Sequence, residues 1–213
     1  MHLTDDKMRE DIRLAVQDLE KSTEGEMVCV IARSSARYVL FPLLWAALAA
    51  LVLPLLNVVV HPASGLPPVN FAVQGLAFGV LAVLFVLTPL RVCATPRVLR
   101  DGVCHRAAFE QFYARELHKT RNATGILLYV SVAERFVGFL SDDGVRARVK
   151  EAEWAPVIDA AVAELRKGNI REGYLAAIKG AKALLVRDFP KTRAPVNELD
   201  DHLIELPDSR VLN

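Results

Sequence analysis

A chain of 213 residues with a net charge of +1 and 53% apolar residues has room for one domain of ordinary size, or for a domain plus a membrane anchor. The near-neutral charge gives no electrostatic footprint for nucleic acid, so no nucleic-acid partner is expected. Three cysteines, Cys29, Cys93 and Cys104, are an odd number without C-x-x-C spacing; they exclude a disulfide framework and read as reduced thiols.

In chain order, Thr4 followed by Asp5 and Asp6 is a helix-start signal. Met8, Ile12, Ala15, Val16 and Leu19 then recur at helical spacing, which predicts an amphipathic helix over 5–22. The N-terminus lacks the basic-then-apolar pattern of a signal peptide, so export of the amino terminus by that route is not expected. Residues 26–32 (EMVCVIA) form a short apolar run rich in β-branched side chains, as in a buried strand.

Residues 38–90 then pass without one Asp, Glu, Lys or Arg. This window holds two apolar runs, 38–60 and 69–90, parted by a loop containing Pro62, Gly65, Pro67 and Pro68. At 1.5 Å per residue each run reaches roughly 33 Å, enough for the ~30 Å hydrocarbon core. Pro54 within the first run is tolerable in a membrane bundle, and Tyr38 and Trp45 suit the near interface. The second run carries Gly75 and Gly79, a GxxxG pattern that lets helices approach closely. The first run of the same chain is the expected partner, a homodimer the alternative. Asn57, Asn70 and Gln74 lie toward the loop end, and no ionisable group sits at membrane depth, which argues against an ion pathway. Arg33 and Arg37 precede the first run, Arg91, Arg97 and Arg100 follow the second, and the loop has no Lys or Arg. The positive-inside rule therefore predicts two spans with both termini cytoplasmic.

Beyond the window, Ala108, Phe109, Phe112, Tyr113 and Leu117 predict an amphipathic helix over 105–120 with all five on its core face. A second buried-type strand is expected over 126–132 and a third over 136–140. The tight connection 133–135 pairs them as an antiparallel hairpin. Ser141, Asp142, Asp143 and Gly144 precede a short helix carrying Val145 and Val149. Pro156 is expected to open the next helix, closed by Gly168. Asn169 with Glu172 resembles a capping box for the last helix, which runs to about Asp188 before Pro190 stops it. The tail 191–213 is polar, with Glu198, Asp200 and Asp201, and is expected to be flexible or draped on the domain.

With the window excised, the first strand leads through the Phe109 helix to the second, a βαβ unit. The expected organisation is a split α/β domain in two parts, 1–37 and 91–190, around a transmembrane hairpin at 38–90, followed by the tail. Its sheet is small and mixed, of three or four strands. Asp142 and Asp143 are the candidate ligands for a hard cation such as Ca²⁺, against the alternative of a helix N-cap. Glu134 and Arg135 read as a solvated turn, His105 and His118 as surface residues, and Trp154 as packed on the domain. No Cys-x5-Arg or Asp-x-Asp-x-Thr signature, P-loop, GxSxG, HExxH or GxGxxG occurs. Residue chemistry alone thus favours a role other than catalysis.

Three stretches, 23–32 (TEGEMVCVIA), 120–137 (TRNATGILLYVSVAERFV) and 141–145 (SDDGV), with Trp154 and 167–173 (KGNIREG), resemble the TPM-domain family in content and order. The chain is similar to the bacterial branch in which a membrane hairpin interrupts the domain. The resemblance implies a three-layer α/β/α domain. The absent catalytic signatures together with the anchor point to a membrane-anchored binding module at the inner membrane, with the lipid bilayer and other membrane proteins as partners in assembly, maintenance or stress response. It also carries an alternative, since members have been labelled acid phosphatases and some bind Ca²⁺ at acidic loops. Where many members place Asp-Asn-Gly before the strand, this chain has Asn122, Ala123, Thr124 and Gly125, so only Asp142 and Asp143 remain to carry that role.

Overall fold

Strand β1, Glu26–Ala32, is the axis of the structure. The computed structural model describes residues 3–64, 69–88, 90–120, 123–191 and 203–207, with only the backbone at 59–64. Most of the expected loop at 61–68, part of the 120–125 turn and most of the tail therefore lie outside the described side chains. The chain forms two compact units, one of Met1–Ala36 with Asp101–Asn213, the other Arg37–Arg100.

The first unit is a mixed α/β fold. Strand β1 pairs in parallel with β2, Gly125–Ser131, in the register Glu26 to Gly125 through Ala32 to Ser131. Strand β3, Phe136–Ser141, runs antiparallel to β2. A fourth strand, β4, Ile204–Glu205, comes from the acidic tail and adds parallel to β1, giving the order β3-β2-β1-β4. Its Glu205 carboxylate accepts from the Leu3 N–H at 2.8 Å and Thr4 Oγ1 at 3.0 Å, and meets Arg9 at 3.0 Å. This part of the tail is draped on the domain.

Side-chain alternation sends Met27, Cys29 and Ile31 to one face, with Ile126, Leu128 and Val130. Three helices cover that face: α1, Asp6–Ser22; α7, Glu151–Lys167; and α8, Ile170–Asp188. The α1 cap falls one residue later than expected, on Asp5, whose carboxylate takes the Met8 N–H at 2.7 Å. The Tyr174 hydroxyl of α8 donates to the Val30 carbonyl at 2.7 Å, so this buried phenol finds its partner in β1. The other face, Val28, Val30, Ala32, Leu127 and Tyr129, packs on Ala108 and Phe112 of α5, Arg97–Ala114, and on Leu117 in a 3-10 turn. Helices thus lie on both sides of the sheet.

Two expected helices shift their boundaries and one expected side-chain cap is not formed. Helix α5 stops at Ala114, with a 3-10 turn at Leu117–Lys119 completing the predicted stretch, and Phe109 and Tyr113 are exposed. Its buried stripe is the smaller one, Cys104, Ala108 and Phe112, at i, i+4 and i+8. Helix α7 begins at Glu151, five residues before Pro156, because the Glu153 carboxylate caps the Lys150 N–H at 2.9 Å. Asn169 makes no side-chain cap for α8; its amide donates to Glu164 at 3.0 Å, while Gly168, at φ 89°, closes α7.

The second unit contains α2, Leu40–Ser64, which continues through Pro54, α3, Phe71–Leu87, and the short α4, Leu90–Cys93. Helices α2 and α3 pack on one another. The Trp45 indole N–H donates to the Ala94 carbonyl at 2.9 Å, tying the start of α2 to the end of the apolar segment. At the far end Asn57 accepts from the Val69 N–H at 3.2 Å, and Asn70 caps α3 through the Val73 N–H at 3.0 Å. Among the described residues one helix stretch, Leu40–Val58, is long and apolar enough to cross a membrane, with a mean hydropathy of 2.1. At 17 residues, α3 is shorter than the expected span.

Candidate functional site

Parallel strands in α/β sheets build sites beyond their carboxyl ends, and here β1 and β2 both end at one edge. The ladder extends past them: the Val132 N–H donates to the Ala32 carbonyl and the Ala133 N–H to the Arg33 carbonyl, each at 3.0 Å. The 132–135 turn closes with the Arg135 N–H on the Val132 carbonyl at 3.2 Å and Arg135 at φ 53°. This extension carries Glu134 inward against the segment that follows β1.

The Glu134 side chain is buried, at 9% exposure. Its Oε1 accepts from Ser34 Oγ at 2.9 Å and from the Ser35 N–H at 3.0 Å, and its Oε2 accepts a short hydrogen bond from Ser131 Oγ. Donors on both carboxylate oxygens are what allow a carboxylate to sit this deep. The Ser35 hydroxyl lies 3.0 Å from Tyr129 Oη and 3.3 Å from Cys104 Sγ. Burial pushes the Tyr129 phenol up to about 12, against a smaller downward pull from the Ser35 hydrogen bond. Chemically the cluster is a set of hydroxyl donors closed around one acid. Among the described residues no imidazole joins it; the nearby His105 ring packs edge-on against Phe136 at 5.0 Å. Among the described residues its hydroxyls donate to or lie beside one carboxylate, with no imidazole between them to relay a proton.

What the cluster does hold is geometry. Ser34 and Ser35 end the first part of the domain, and Cys104 lies just inside its second part. Ser35 and Cys104 are 69 residues apart in the chain yet in side-chain contact. The domain therefore opens and closes around its insert at one point. The sequence alone reads Glu134 as a solvated turn residue; the one available signal is the pair of serines that follows β1 and Arg33.

The candidate cation residues part company. Asp142, 8% exposed, caps α6, Asp143–Arg146: its Oδ1 accepts from the Asp143 N–H at 2.8 Å. Its Oδ2 is buried without a hydrogen-bond partner among the described residues. The Asp143 carboxylate lies at the surface, 2.6 Å from Arg146. Among the described residues no group of three or more His, Cys, Asp or Glu side chains could share a metal ion. Asp142 alone offers a buried carboxylate oxygen, and Arg121 and Asn122 are outside the described residues. Ca²⁺ takes six to eight oxygens, backbone carbonyls and water among them, and of the two expected ligands the described side chains supply one buried, unpartnered oxygen, Asp142 Oδ2.

Gly75 and Gly79 are exposed on α3. A Cβ added at either would meet nothing within 4 Å, so this face does not pack on α2 and the expected intrachain use of the motif is corrected. The buried small residues are instead Ala46 and Ala50 on α2, also four apart. Trp154 stacks on Phe139 at 4.5 Å in the core, as expected, and His118 lies against Tyr113 at 5.2 Å. All three cysteines are free; burial, reinforced by Glu20, drives the Cys29 thiol far up.

The TPM domain family matches residues 88–184, just under half of the chain. No curated protein matches the sequence. Among solved structures the chain is similar to the BA42 protein from the psychrophilic bacterium Bizionia argentinensis, determined by NMR, with a TM-score of 0.59 at 15% identity over 96% of each chain. That likeness is one of fold.

Proposed function

We propose that this chain is a two-span integral membrane protein, with spans at 38–60 and 69–90. It holds a TPM-like domain at the cytoplasmic face of a bacterial inner membrane and serves there as a non-enzymatic assembly, maintenance or stress-response module for other membrane proteins. The observation that carries the reading is the outward surface of the apolar unit, where Leu40, Leu55 and Leu76 are 74%, 67% and 69% exposed. Covering one such side chain stabilises by about 1.5–3 kcal/mol, and contiguous apolar surface of this kind needs lipid or protein over it. Residues 69–70 and 88–90 lengthen the second span beyond α3, and tilt or local thinning of the bilayer absorbs the remaining mismatch. The arginines on both flanks support cytoplasmic termini.

The open Gly75 and Gly79 face supports a second copy of the chain as a partner within the membrane. Gly79→Leu would fill that face, and cross-linking in native membranes would then lose the dimer; an unchanged dimer would remove this contact. For the module itself the test is purification in mild detergent with co-purifying proteins identified. A reproducible set of membrane proteins supports the role, and none across independent preparations argues against it. Metal-dependent acid phosphatase activity is the second reading, favoured by the buried Asp142 Oδ2. Hydrolysis of p-nitrophenyl phosphate that needs a divalent ion and is lost in Asp142→Asn would support it; no hydrolysis with any such ion would end it.

A further inference from the structure

Among the described residues, helix α5 is packed on one side only. Cys104, Ala108 and Phe112 are buried, the last two against the sheet, while the stripe beside them holds Phe109 and Tyr113, 48% and 56% exposed. Their rings stack at 6.4 Å, and the exposed Arg106 stands one turn before Phe109. This is a preformed aromatic plate with a basic margin, and Glu110 borders it on one side. A soluble domain would gain nothing from leaving two large rings in water.

We propose that this stripe of α5 lies in the headgroup region of the cytoplasmic leaflet, making the helix an interfacial element that seats the domain on the lipid surface. The proposal rests on the insertion reading above, and three observations select lipid as the occupant. The first is the tether. Helix α5 starts ten residues after the end of α3, and ten residues span at most about 35 Å even when fully extended, so the helix cannot leave the vicinity of the leaflet in which the apolar segment ends. The second is residue chemistry. An aromatic pair with one hydroxyl-bearing ring beside an arginine suits a layer that is apolar below and wet above. The third is charge. Arg91, Arg97, Arg100 and Arg106 face a single acid, Asp101, over residues 91–106, and such a segment is drawn to an anionic leaflet.

The test uses the full chain in lipid nanodiscs, with Cys93→Ser to remove the exposed thiol. An environment-sensitive fluorophore is attached at Phe109→Cys or, separately, at Tyr113→Cys. Control labels stand at Val83→Cys in the apolar unit and at Leu14→Cys on an exposed face of α1. Lipids carrying a quencher just below the headgroup are the probe. The expected result is quenching at 109 and 113 at least about threefold stronger than at 14, increasing with the anionic lipid fraction and falling in Arg106→Glu. Quenching at 83 with none above the residue 14 level at 109 and 113 would overturn the proposal while leaving insertion intact. It would do so whether the rings faced water or another protein. A label at 83 that escapes quenching would overturn insertion, and the proposal with it.

Discussion

Replacing Glu134 with alanine strips one acceptor group from three donors at once: Ser34 Oγ, the Ser35 N–H and Ser131 Oγ. The single Ser34 hydroxyl proton can turn to the Ala36 carbonyl at 3.0 Å, so the Ser35 amide and the fully buried Ser131 hydroxyl bear most of the loss. At about 1–3 kcal/mol for each buried donor left without an acceptor, Glu134→Ala should destabilise the domain by roughly 3–4 kcal/mol. Glu134→Gln keeps a carbonyl for Ser34 and Ser35, and the Ser131 hydroxyl can turn to accept from the new amide, so its cost should be about 1 kcal/mol. The assay is urea unfolding of the detergent-solubilised chain, followed by fluorescence of Trp154 in the core, with thiol modification under native conditions beside it. Cys104 touches Ser35, so its modification should accelerate in Glu134→Ala, while Cys29 on the opposite face of the sheet stays protected. A Glu134→Ala chain within about 0.5 kcal/mol of the parent, the scatter of ordinary surface changes, with Cys104 still protected, would refute the clamp.

Three further outcomes follow from the same geometry. Gly125→Ala places a Cβ 2.2 Å from the Leu117 carbonyl oxygen; backbone cannot yield cheaply there, so a loss at the upper end of the 1–3 kcal/mol overpacking range, about 3 kcal/mol, should appear in the unfolding midpoint. The Tyr129 phenol is raised from 10.0 to about 12, so the folded state favours the neutral ring. That contribution, roughly 3 kcal/mol, is fully present below pH 10 and lost as pH rises toward 12. Tyrosinate absorbance should show Tyr129 titrating only with alkaline unfolding, and early titration of all tyrosines in the folded chain would contradict it. Replacing 37–100 with a short flexible linker should leave a folded, soluble domain, since Ser35 and Cys104 already touch; a product without dispersed amide resonances would show the two parts of the domain to depend on the insert.

The strands were legible because their residues are. Residues 27–32 form a short unbroken apolar run, with Val28, Val30 and Ile31 β-branched, of the kind a strand buried on both faces carries, and β1 occupies those residues. The parallel pairing of β1 and β2 follows from the helix between them. The polar clamp was not legible, since Glu134 meets Ser34 and Ser35 across 100 and 99 residues, and nothing local distinguishes it from a solvated turn acid. The core face of α5 was misread because hydrophobic size misleads where a small-residue stripe permits closer packing. Ala108 and Cys104 take the buried positions, and the larger Phe109 and Tyr113 are left outside. Strand β4 is two residues long in an acidic tail, formed through the Arg9 and Glu205 contact rather than by propensity. The glycine pair showed where a helix can approach α3 but not which helix, because a GxxxG spacing carries no identity for its partner.

The proposed function requires the apolar unit to cross the membrane and return within a split cytoplasmic domain. Cysteines introduced one at a time at Ala63, between the two apolar runs, and at Leu14 on α1, each in a Cys93→Ser chain, test it in intact cells with a membrane-impermeant maleimide. Labelling at 63 from outside and at 14 only after lysis is expected, with the protein retained in the membrane through alkaline carbonate extraction. Labelling at 14 in intact cells, or release of the chain by carbonate, would contradict it.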